Sequence, residues 1–154
     1  MQELQNELNR GFEAEMRVFS NKLMLIRDDM QRVWNQLATA EDLYANAFSK
    51  LAQHLNTHPL YAYEEIRKQA REKFEEIKNI FFSDLDGFKP LIDEKDQKIQ
   101  EILKEVNDMI ENGYNNNEQI EVVLDLSLQA KNYIHNCNHA IQRTKKIIEK
   151  QTLS

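Results

Sequence analysis

"FEAEMRVFSNKLMLIRDDMQRVWNQLATAEDLYANAFSKL", residues 12–51, sets Phe12, Met16, Phe19, Leu23, Ile26, Met30, Val33, Leu37, Ala40, Tyr44, Ala47 and Leu51 at unbroken steps of four and three. A mean step of about 3.5 keeps one stripe of an α-helix against a partner and is the left-handed coiled-coil period. Leu25, Leu43, Phe48 and Leu55 add a flanking stripe, the pattern of a helix that contacts two neighbours. Leu4 and Leu8 carry the helix back past Gly11, so the first helix is predicted over about residues 2–56.

Outward from this stretch, "NTHPLY" reads as stop and restart: Asn56 ends one helix, Thr57 caps the next, and Pro59 suits its first turn. The second helix, about 60–112, aligns Tyr63, Ile66, Ala70, Ile77, Phe81, Leu85, Phe88, Ile92, Ile99, Ile102, Val106 and Met109, with Lys73 and Lys95 interrupting the seam. It closes at Gly113, a residue suited to a left-handed cap, and Asn115 with Glu118 resembles a capping box. The third helix, about 117–150, has its seam at Ile120, Val123, Ser127, Ala130, Ile134, Cys137, Ile141, Thr144 and Ile148. No stretch alternates with period two, so no sheet is expected. Two tight turns between helices, the first two ~80 Å long at 1.5 Å per residue, predict an all-α fold. The expected form is an elongated antiparallel three-helix coiled-coil bundle, read as a single domain over residues 1–154.

"FFSDLDGFKPLIDEKD", residues 81–96, puts Gly87 and Pro90 inside the second helix. An interior proline removes one backbone bond and costs ~3 kcal/mol, and a glycine adds ~1 kcal/mol relative to alanine. Because Leu85, Phe88 and Ile92 stay in phase across them, a kink at Gly87–Pro90 is expected rather than a break between separate helices.

Two stretches carry a family resemblance. "TAEDLYANAFSKLAQHL", with Glu41, Tyr44, Ala45, Leu51 and Ala52, resembles the acidic, Tyr-containing run of F-BAR first helices. "IKNIFFSDLDGFKPLIDEKDQKI", with Phe81, Leu85, Pro90 and Leu91, is similar to the family's apolar run followed by a Pro-Leu pair. The resemblance to BAR and F-BAR domains covers about 40 residues, and it implies a homodimeric curved rod that binds curved membranes. The family's domains usually run longer, and the third helix here is short for the usual dimer core.

The charges bear on that expectation. Of 154 residues 41% are hydrophobic and 30% charged, with net charge −6, which argues against general nucleic-acid binding. The locally basic region is the end of helix three: Arg143, Lys145, Lys146 and Lys150 against Glu149. Aligning the hairpins sets it near Arg67, Lys68, Arg71, Lys73 and Lys78, which are interleaved with Glu72, Glu75 and Glu76. Arg143, Lys145, Lys146, Lys150, Arg67, Lys68 and Arg71 are thus the candidate lipid-binding residues, each worth ~1 kcal/mol near an anionic bilayer. The alternative reading is a solvated face of i,i+4 pairs.

Other chemistry has weaker support. His135 and His139 stand one turn apart, a metal-gripping spacing, but Cys137 between them belongs to the seam. His54 and His58 flank a turn and suit capping; Asp84, Asp86, Asp93, Glu94 and Asp96 lack calcium-loop spacing. Trp34, beside seam residue Val33, reads as packing. No phosphate loop or nucleophile elbow is present, so no enzyme, cofactor or metal is expected. One cysteine, no long apolar run and a polar N-terminal stretch lead us to expect a cytoplasmic chain, peripheral to membranes at most. The functional expectation is a dimerising BAR-like rod that binds or shapes anionic membranes; the alternative is a coiled-coil scaffold binding protein partners.

Overall fold

The heptad stripe from Phe12 to Leu37 becomes a buried seam in the computed structural model, which describes residues 2–114 and 116–153, the side chain of Gln5 excepted. Helix α1 (Gln2–Ala40) runs straight through Gly11 and passes without a break into a π-helical turn, Glu41–Ala45, and then into α2 (Asn46–Thr57). The second long helix is α3 (Glu64–Asp86) followed by α4 (Lys89–Glu111), and the third is α5 (Asn117–Glu149). Among the described residues there is no strand. The fold is an all-α helical bundle.

The chain divides into two compact units. One combines residues up to Arg32 with Leu91–Asn136. In it Asp29 meets Lys95 at 3.5 Å while Phe12 stacks on Tyr114, so α1 and α4 run antiparallel. Met16 and Arg17 lie beside Glu118 and Gln119, and Arg27 donates to Gln129 further along, so α5 runs parallel to α1. Lys95, an interruption in the sequence pattern, is accommodated by its pairing with Asp29.

The other unit combines Val33–Pro90 with residues from Cys137 onward. Tyr44 stacks on Phe81 and Phe48 on Phe74, an antiparallel pair of helices closed by α5 through Arg143–Glu41 and by the segment after it through Asn56–Thr152. Here the expected seam is corrected. Ala45, Phe48 and Ala52 are buried, whereas Ala47 is exposed and Ala40, Tyr44 and Leu51 are half-buried. The π turn inserts one residue between Leu37 and Ala45, and one residue rotates the downstream helix by about 100°. The same unit corrects the second helix: Phe74 is buried, while Lys73 points to solvent and Tyr63 and Ile66 are exposed. Lys78 lies buried with its ammonium over the Phe74 ring.

The second long helix is interrupted at Gly87–Phe88, in line with the expected kink. Gly87 N–H donates to the Ser83 carbonyl at 3.0 Å, and Phe88 N–H turns to Leu85 at 3.3 Å, tightening the backbone by one residue. Pro90 falls in the first turn of α4, where an N–H is not needed, so the cost of an interior proline is avoided. Leu85 and Ile92 remain fully buried on the two sides.

The helix ends follow local chemistry. Gly113 has φ 95°, and Tyr114 N–H reaches the Met109 carbonyl at 3.1 Å, the Schellman closure expected of glycine there. Asn115 lies outside the described residues; Asn116 Oδ1 accepts from Gln119 N–H and caps α5. Thr57 does not cap the next helix: its hydroxyl donates back to Gln53, and His58 Nδ1 accepts from Leu60 N–H instead. Pro59–Ala62 forms a 3₁₀ turn, which delays α3 to Glu64.

Candidate functional site

The basic end of α5 is shaped by its own seam. Ala140, Ile141, Thr144 and Ile148 are buried, so Arg143, Lys145, Lys146 and Lys150 flank that stripe on its outer sides. The buried Thr144 hydroxyl is satisfied by donating to the Ala140 carbonyl at 2.7 Å.

Two of the four cations are held by carboxylates. Arg143 donates Nε to Glu41 Oε1 at 2.8 Å and Nη2 to Glu41 Oε2 at 2.6 Å, a bidentate fork that raises its pKa through the hydrogen bond first and the Glu41 charge second. Lys145 pairs with Asp86. Lys146 and Lys150 are exposed and make no ion pair among the described residues.

Arg67, Lys68 and Arg71 are not brought beside Arg143 and Lys145. Lys145 faces Asp86, which lies ~22 Å along α3 from Arg71 at 1.5 Å per residue. The expected neighbourhood is corrected by this pairing: Lys145 lies against the end of α3, whereas Arg67, Lys68 and Arg71 lie near its start. Lys68 and Arg71 are exposed and Arg67 half-buried, all three without an ion pair among the described residues.

The acidic cluster also divides. Asp86 takes Lys145, Glu94 takes Lys98 at 3.1 Å, and Asp96 accepts from Gln100. Among the described residues no three His, Cys, Asp or Glu side chains converge in a metal-holding group. Cys137 is buried, and burial pushes its thiol up to about 11, away from thiolate chemistry.

The tertiary grouping separates charge in a way the linear chain hides. Residues 1–32 and 91–136 carry 16 acidic and 9 basic side chains, a balance of −7. Residues 33–90 and 137–154 carry 10 acidic and 11 basic, a balance of +1. The flanking apolar stripe divides as well: Leu25 is 66% exposed and Leu43 62%, whereas Phe48 is core and Leu55 half-buried. On α5, Val122, Leu124 and Leu128 are exposed too, positions that periodicity did not single out because they lie off the seam. No helix is long and apolar enough to cross a membrane among the described residues. No protein-family profile, curated protein or solved structure matches the chain.

Proposed function

We propose that this chain is a non-enzymatic helical scaffold that presents outer helix faces to protein partners. The supporting observation is the exposure of Leu25 and Leu43 on helices whose inner seams are already buried. Leucines left in water on a packed bundle gain ~2 kcal/mol each when a partner covers them. The test places a photo-crosslinking residue at position 25 or 43. Adducts of defined mass are expected in cell extract, suppressed by excess wild-type chain but not by the Leu25→Glu/Leu43→Glu variant. Adducts insensitive to that competition would overturn the proposal.

A second reading is a BAR-like homodimer on an anionic membrane. Its support is that Lys68, Arg71, Lys146 and Lys150 are exposed and Arg67 half-buried, none in an ion pair among the described residues, in the unit of balance +1. On this reading lipid contact runs through that unit, because a balance of −7 repels an anionic surface. Co-sedimentation with phosphatidylserine vesicles at low and high salt tests it: pelleting only at low salt is expected, and no pelleting at either salt overturns it.

A further inference from the structure

We infer that the hollow between α1 and α4 is a docking groove for a basic amphipathic helix of a partner protein. The inference rests on the scaffold reading and names the partner class for one of its faces.

The groove follows from the local packing. Phe19 and Ile26 of α1 and Ile102 of α4 close its floor, and Leu25 lines its rim, with a volume of about 400 Å3. Further along the same helix pair a second hollow of about 240 Å3 is lined by Leu8, Gly11 and Met109. Gly11 and Leu25 lie two heptads apart and so on one face of α1, ~21 Å along the axis. Val18, midway between them, is exposed on the same face.

Gly11 has no internal reason to be glycine. It sits inside α1, and a Cβ there would meet nothing within 4 Å. A helical glycine gives up ~1 kcal/mol relative to alanine, and no contact of this chain requires that. The missing side chain leaves a notch in which a knob from another helix can rest on the backbone.

Charge selects the occupant. Glu7, Glu15, Glu101 and Glu105 line the two hollows. Of the lysines, Lys98 is matched by Glu94 and Lys95 shares Asp29 with Arg32, leaving Lys22 and part of the Lys95 charge against four carboxylates. A helix with apolar residues at i, i+3/i+4 and i+7 and flanking Lys or Arg is complementary in shape and charge. A second copy packed groove to groove would bring another −7 unit against it, and an anionic membrane would be repelled in the same way.

The test uses the full chain and labelled synthetic helices of about 18 residues, with leucines on one face flanked by lysine or, in a matched peptide, by glutamate, read by fluorescence anisotropy. The basic peptide is expected to bind at least ~tenfold more tightly than the acidic one, and to weaken about tenfold between 0.05 and 0.5 M salt. Gly11→Arg, whose Cβ would meet nothing within 4 Å, and Glu101→Lys/Glu105→Lys should each weaken it about tenfold. Glu121→Lys/Asp125→Lys, an equal charge change on α5, should not. Equal binding of the two peptides, or weakening by the α5 variant as large as by the groove variants, overturns the inference while leaving the scaffold reading to its crosslinking test. A chain that dimerises as wild type and is monomeric as Gly11→Arg also overturns it, placing a second copy in the groove.

Discussion

Arg143 and Glu41, 102 positions apart in sequence, form a two-bond fork at 2.8 and 2.6 Å that ties the end of α5 to the first residue of the π turn. The arginine is about half exposed, so the pair stabilises the fold by under ~1 kcal/mol. Its larger consequence is electrostatic: a cation flagged by sequence as available for lipid already has an anionic partner. Its raised pKa keeps it charged throughout the working range, and that contribution is lost only above the ordinary arginine range.

The first prediction concerns which cations meet anionic vesicles on the membrane reading. Lys146→Glu/Lys150→Glu should reduce vesicle pelleting by more than Arg143→Glu/Lys145→Glu, and Glu41→Gln should increase it by releasing Arg143. A greater loss from the Arg143/Lys145 variant would reverse the assignment.

The π turn makes a prediction about chain length. Deleting Leu43, an exposed residue within the turn, restores a regular α-helix while keeping Ala45, Phe48 and Ala52 on the buried face. Stability should change by less than ~1 kcal/mol in urea unfolding. Deleting exposed Met24 from α1 instead rotates every later seam residue by about 100° and should abolish cooperative unfolding.

The corrected seam of α3 is checked by two substitutions. Phe74 is 2% exposed and stacks on Phe48 with ring centroids 4.4 Å apart, so Phe74→Ala should cost ~3–5 kcal/mol. Lys73→Ala, one residue away on the solvent side, should fall within ~0.5 kcal/mol of wild type.

Alkaline titration should report Cys137. Its thiol titrates at about 11 in the fold, against ~8.5 in an unfolded chain. The folded state therefore holds the proton more tightly. This contribution is complete below about pH 8.5 and is lost as pH rises toward about 11. The stability advantage of wild type over Cys137→Ala should shrink across that window, and native Cys137 should react slowly with a thiol reagent at pH 8. A constant advantage would show that burial does not shift the group.

Periodicity alone was enough for the helices. Hydrophobic steps of three and four define the buried face of any helix that packs on another, so Phe12 through Leu37 and Ile99 through Val106 were legible without a structure. Gly113 was legible for a local reason, since its left-handed φ suits a residue without Cβ. So was the interruption near Gly87 and Pro90, two residues that disturb helical bonding wherever they stand. Tertiary packing decided the rest. The π turn leaves a weak trace in sequence, because Tyr44 and Leu51 read as seam until Phe48 is placed against Phe74 and Phe81. The fate of Arg143 and Lys145 depended on Glu41 and Asp86, carboxylates 102 and 59 positions away. Helix identity is set by neighbours three and four residues apart, so sequence determines it. Ion pairing and charge segregation depend on the register between helices, which is decided by side-chain packing across the bundle.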